Sequence, residues 1–254
     1  VFVIVIALAV AAVLTAVVIG FGRILLNVRN SAEQAVGQLT AVAKKTMSFA
    51  YSVERVRSLV TIRNLDGDSV VLRELRGVRP TESMAMSGLH GKMAGSGEVI
   101  APPALISITG APGPYEFRSA VTAVGEASYQ IAFNRPLLHS ETVDVAVQTD
   151  FRHLHRMTRA AIEEAYRRDQ FRQEYTSMTI DVPVAVLDLE VVFPDGFTPD
   201  VYGVVFYGDS ETVAEAESRS VRNTVERLTP SSFRLLIEKP QLRFQYGMYW
   251  IPAR

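Results

Sequence analysis

The chain has 254 residues, with 26 basic against 27 acidic side chains and a formal net charge of −1. That length is enough for a core that folds without staples, and the charge balance offers no global attraction to nucleic acid, so nucleic acid is not an expected partner. Cysteine is absent, which excludes disulfides, thiolate zinc sites and a cysteine nucleophile.

Residues 1–22 carry no charge, and Thr15 is their only polar side chain. At about 1.5 Å per residue such a run reaches about 33 Å, enough to cross a hydrocarbon core of about 30 Å. The apolar core of a secretory signal peptide is shorter, about 7–15 residues. The pattern therefore predicts a single transmembrane helix over 1–26, with the lipid bilayer as a partner. Ala9, Ala12, Ala16 and Gly20 form a small-residue face, the kind that lets helix backbones approach closely in lipid. This face predicts self-association or contact with other membrane subunits. Arg23, Arg29, Lys44 and Lys45 follow the span, and the positive-inside bias places the remainder of this single-pass protein in the cytoplasm.

Residues 27–50 contain no proline and read as a helical stalk. Val28, Ala32, Ala35, Leu39 and Val42 recur at alternating steps of four and three, the heptad spacing of a coiled-coil seam. A fresh helix starting at Asn30 or Ser31 fits as well, because Ser31 precedes Gln34, and Asn30 precedes Glu33, at capping-box spacing.

Past Phe49 the hydrophobic period shifts towards two. Asp66-Gly67-Asp68 between β-rich runs is a strong hairpin signal. Residues 81–97 hold four Gly and three Met without a sustained period, which predicts a long surface loop. Strands are expected near 98–108, 116–124, 128–134 and 142–149. Tyr129, Ile131 and Phe133, then Val143, Val145 and Val147, alternate with small or polar residues, as on a sheet with one buried face. Residues 151–172 read as an amphipathic helix with Leu154, Met157, Ala161 and Ala165 on one stripe. Strands follow near 174–181, 184–193, 201–208, 233–237 and 246–251, and 211–228 fits helix and strand equally.

The expected fold is thus mainly β with some α: a transmembrane helix (1–26), a stalk (27–50), a first β-rich domain (51–150), the amphipathic helix (151–172) and a second β-rich domain (173–254). The body is an antiparallel, β-sandwich-like arrangement. Phe133 to Leu138 and Ile237 to Leu242 share an apolar-x-basic-Pro-x-Leu pattern, consistent with two tandem units.

No metalloprotease, P-loop, nucleophile-elbow or dinucleotide motif is present, and no cofactor is implied. His153 and His155, spaced by two, diverge on a helix and read as exposed polar residues rather than a metal pair. Asp66, Asp68 and Asp195 read as turn residues. Arg152, Arg156 and Arg159 share a face of the expected helix, where an anionic ligand would dock. Glu163–Arg167 and Glu164–Arg168 favour a solvated face instead. Tyr246 and Trp250 share one side of the last strand, suited to core packing or to an aromatic subunit contact. The leading expectation is a membrane-anchored, non-enzymatic assembly protein. One alternative is a signalling protein responding to an anionic ligand, whose layout is similar to that of membrane-disrupting effectors of bacterial defence. A tethered enzyme is the third.

Overall fold

The computed structural model describes residues 50–81, 85–165, 174–197, 199–207 and 225–251. The expected transmembrane helix, the stalk up to residue 49, the face formed by Ala9, Ala12, Ala16 and Gly20, and the seam formed by Val28, Ala32, Ala35, Leu39 and Val42 lie outside the described residues. Among the described residues no helix is long and apolar enough to cross a membrane.

The first hairpin, β1 (Tyr51–Ile62) and β2 (Ser69–Pro80), forms where the Asp-Gly signal predicts it. Gly67 supplies the positive φ, 83°, that the turn requires. β3 (Met86–Ala94), β4 (Glu98–Val99), β5 (Ala104–Thr109), β6 (Tyr115–Ala123), β7 (Glu126–Leu137) and β8 (Val143–Arg152) follow. A short helix α1 (Arg159–Ala165) precedes β9 (Glu174–Thr179), β10 (Val184–Val192), β11 (Asp200–Tyr207), β12 (Val225–Thr229), β13 (Ser232–Glu238) and β14 (Phe244–Ile251).

These strands make three sheets. The large one runs β12-β13-β10-β1-β2-β8, and β4 and β5 lie in succession along the far edge of β8. The two small ones are β11-β14-β9 and β3-β7-β6. All pairings are antiparallel except β1 with β10, which is parallel. One side of the large sheet presents Val56, Val60, Leu187, Leu189, Val145 and Val147 to a single cluster that also takes Leu89 and Ile131 from the second small sheet and Met248 and Trp250 from the first. The hydrophobic alternation in β1, β7, β8 and β10 is therefore spent on one shared core.

Two sequence expectations change. The segment 81–97 is not a long surface loop: β3 lies within it and pairs with β7. Gly91 hid the alternation between the buried Leu89 and Met93, and the register shift between Met86 and Gly88 put the buried Met86 out of step with them. Gly91 stands opposite Tyr129, and a Cβ there would meet the phenol ring, so the missing side chain is what lets the aromatic lie across the strand. The helix expected over 151–172 is the second correction. Phe151 and Arg152 complete β8, residues 153–158 are irregular, and helix is present only from Arg159 to Ala165 among the described residues. The antiparallel character expected of the body holds in every pairing but one, the parallel β1–β10 pairing.

Candidate functional site

The β1–β2 turn does more than reverse the chain. Asn64 Oδ1 accepts the amides of Asp66 and Asp68, each at 3.1 Å, fixing an Asx-type turn. The turn then holds the segment that leaves β8. The His153 amide donates to Asp68 Oδ1 at 3.0 Å, His153 Nδ1 lies 2.9 Å from the Asp66 carbonyl, and the His155 amide donates to the Gly67 carbonyl at 3.3 Å. Hydrogen bonds from Asn64 and from the His153 amide hold the Asp68 carboxyl below its usual pKa. The fit is tight. A Cβ on Gly67 would stand 1.7 Å from the His155 carbonyl oxygen.

Docked this way, His155 is driven inward and is 4% exposed. Its ring meets Trp250 edge-on, with centroids 5.0 Å apart. Neither ring nitrogen has a hydrogen-bond partner. Glu174, which opens β9 opposite Trp250, is 2% exposed. Its Oε1 accepts the Tyr175 amide at 3.2 Å and its Oε2 the Arg156 amide at 3.0 Å. Among the described residues, His155 Nδ1 and the guanidinium nitrogen Arg156 Nη1 each stand 3.8 Å from this carboxylate, within ion-pair distance but beyond hydrogen-bond length.

Arg73 reaches the same space from β2. It lies between Ser58 on β1 and Val147 on β8, in the inward register shared with Val71. Nη1 donates to the Lys92 carbonyl on β3 at 2.8 Å, while the buried Nε has no partner. Burial pulls the guanidinium below its ordinary pKa, opposed by the neighbouring Tyr129 phenol, whose own pKa burial pushes up. A cavity of about 380 Å³ opens between the sheets, with polar walls that include Ser58, Arg73, Ser96, His155, Glu174 and Gln245. Val60, Val71, Met93, Phe151 and Leu154 supply its apolar side. His155 also borders a neighbouring depression of about 590 Å³ that includes Arg152, Arg156 and Thr158. Among the described residues no group of three or more His, Asp or Glu side chains converges to hold a metal ion.

The three arginines expected to share a helix face lie instead on a strand, a loop and a helix. Arg152 ends β8 and faces Glu98 at 3.5 Å; Arg156 lies in the loop beside Glu174; Arg159 begins α1, 3.8 Å from Glu163. Arg152 and Arg156 still line one depression, but Arg159 is not part of it. Tyr246 and Trp250 do share one side of β14, and that side is interior. Trp250 is fully buried, and the Tyr246 hydroxyl accepts the Gln241 amide at 2.9 Å. They are core residues and not an exposed aromatic contact. His155, read from sequence as exposed, is buried for the reason given above. Arg73 carried a usable signal, because an arginine two residues after Val71 in an alternating strand falls on the core side. Glu174 carried none, since its burial depends on β14 lying beside it.

No family model and no curated protein matches the chain. Among solved structures, a putative protease from Parabacteroides distasonis is 7% identical with a TM-score of 0.43, over 79% of this chain and 40% of that one. The M1 zinc metallopeptidase of Deinococcus radiodurans is 10% identical with a TM-score of 0.39, over 78% and 42%. Leukotriene A4 hydrolase from Saccharomyces cerevisiae is 9% identical with a TM-score of 0.38, over 79% and 29%. The chain thus spans less than half the length of each, and similarity at this level carries no inference about function.

Proposed function

We propose that this chain is a membrane-anchored, non-enzymatic assembly protein, held in the bilayer by its uncharged N-terminal run with its β-rich body on the cytoplasmic side, and that it associates with further copies of itself. The observation that carries this reading is the edge strand β6. Among the described residues it pairs with β7 alone, and it is exposed along nearly its whole length. From Ser119 to Ala123 it has no charge and no proline, and Val121 is exposed. Natural edge strands are usually blunted by lysine, proline or a bulge, because open N–H and C=O groups recruit another strand. β6 carries Glu116 and Arg118 in its first half and its register with β7 shifts between Val121 and Ala123, so the edge is blunted only in part, and its open, uncharged stretch suits strand addition, with backbone hydrogen bonds supplying affinity. The small-residue face at Ala9, Ala12, Ala16 and Gly20 supports the same conclusion from within the membrane.

Mass photometry of the full chain in detergent tests this reading. Oligomers are expected, and Val121→Lys combined with Thr122→Pro should reduce the copy number. A strict monomer at every concentration, unaffected by replacing Ala12, Ala16 and Gly20 with Leu, defeats it.

A further inference from the structure

Two charges of opposite sign border one cavity without neutralising each other. Glu174 is buried, and among the described residues it accepts two hydrogen bonds, both from backbone amides; its ion pairs with His155 Nδ1 and Arg156 Nη1 are 3.8 Å long, so no cationic nitrogen of the described residues lies within hydrogen-bond reach. Arg73 donates to a neutral carbonyl and leaves Nε unpaired, and among the described residues no carboxylate lies within ion-pair distance of it. Buried charges are ordinarily paired, because desolvation is costly unless a partner offsets it. Here Glu174 meets cations only at 3.8 Å and the half-buried Arg73 meets no carboxylate among the described residues, and the space between the sheets is empty enough to admit a closer partner for both. The two unpaired nitrogens of His155 border that space as well.

We propose that this cavity binds a small zwitterion of the free α-amino-acid class, with its ammonium group on the Glu174 carboxylate and its carboxylate on the Arg73 guanidinium. A simple anion would satisfy Arg73 and face Glu174 unfavourably; a simple amine would do the reverse. Only a molecule carrying both charges completes both partners. Arginine forks suit carboxylate oxygens, and an ammonium group has three donors to offer Glu174. The volume of about 380 Å³ lies within the span that small-ligand pockets occupy, roughly 300–1,000 Å³. Val60, Val71, Met93, Phe151 and Leu154 offer an apolar wall, which favours an aliphatic or aromatic side chain over a charged one.

The test is isothermal titration calorimetry on the full chain in detergent, independent of whether the chain oligomerises. The probes are L-leucine, its amine-free analogue 4-methylpentanoate and its carboxyl-free analogue 3-methylbutylamine, followed by glycine, L-phenylalanine, L-lysine and L-glutamate. L-leucine or L-phenylalanine should bind, with both single-charge analogues at least about tenfold weaker. Arg73→Gln and Glu174→Gln should each remove that binding while the thermal melt confirms a folded body. Equal binding of 4-methylpentanoate and L-leucine, or no heat from any of the amino acids at about 10 mM, overturns the proposal. Should either variant fail to fold, the three matched probes on the unaltered chain still decide the matter.

Discussion

Two charged clusters lie on opposite sides of the large sheet, and they are built from the same residue types to different ends. On the side facing away from the core, Asp188 of β10 is only 1% exposed, yet it is fully engaged. Arg234 bonds it through Nε and Nη2 at 2.7 and 2.9 Å, and Arg55 bonds it at 2.6 Å. Beside it Arg57 bonds Glu190 at 2.8 Å and approaches Glu74 at 3.7 Å. On the core side, Glu174, His155 and Arg73 share a cavity; Glu174 meets cations only at 3.8 Å, and among the described residues Arg73 has no carboxylate and the His155 ring nitrogens no hydrogen-bond partner. The first cluster closes on itself, so the fold alone explains it. The second leaves room for the partner proposed above. Burial is therefore a poor discriminator of function here, and incomplete pairing is the informative property.

The contrast predicts opposite costs on neutralising one carboxylate in each cluster. Asp188→Asn leaves Arg55 and Arg234 facing an uncharged amide. It should cost about 3 kcal/mol, the lower end for breaking a buried pair, because both arginines are partly exposed. Urea unfolding of the full chain in detergent measures this. The pH dependence sharpens the prediction. Burial alone would raise the Asp188 pKa, but the hydrogen bonds and charges of Arg234 and Arg55 outweigh it and hold the group below its usual value. A carboxyl depressed in the folded state contributes stability that is fully present above its unfolded pKa, about 4, and that is lost as pH falls through the folded value. The urea midpoint of the parent chain should therefore fall below about pH 4, and the Asp188→Asn chain should lack that component of the fall.

The sequence made one of these clusters easier to foresee than the other. Alternation in β1 and β10 shows that Arg55, Arg57, Asp188 and Glu190 fall on the sides opposite Val56 and Leu187. It does not show that these two strands adjoin, because 133 residues separate Arg55 from Asp188. Strands with strong period-two patterns, such as β7 and β8, lie close to where they are expected. β3 did not, since Gly91 replaced the side chain that would have marked its buried side, and Tyr129 from the neighbouring strand fills the gap. The cavity was hidden for a related reason. The apolar spacing of Leu154 and Met157 imitates a helix, whereas the hairpin turn captures the backbone of residues 153–155 and buries both apolar side chains without one. Local pattern reports which residues are inside, and long-range docking decides the backbone that puts them there.

That docking makes Gly67 the second point at which to break the comparison. Gly67→Ala forces a side chain onto a positive φ and against the His155 carbonyl, so the 153–155 segment should leave the turn. Loss of its hydrogen bonds and the backbone penalty together should cost about 2 kcal/mol. The effect should be lopsided. In ¹H–¹⁵N spectra the resonances of residues 153–156 and 174–175 should shift, and those around Asp188 should not. A uniform change across both clusters would mean that the turn does not specifically hold the cavity side.

The smallest expected effect is the most discriminating. Glu174→Gln removes a buried carboxylate that has no cation within hydrogen-bond reach, so the variant sheds a desolvation cost along with a negative charge. The amide oxygen can still accept one of the two backbone amides, and the lost second bond should cost about 1 kcal/mol. These contributions oppose each other, and the net change in unfolding free energy should stay within about 1 kcal/mol of zero. A loss as large as that of Asp188→Asn would mean that His155 and Arg156 already neutralise Glu174 across 3.8 Å. The two clusters would then be alike, and the distinction between a charge the fold satisfies and one held for a ligand would fail at this site.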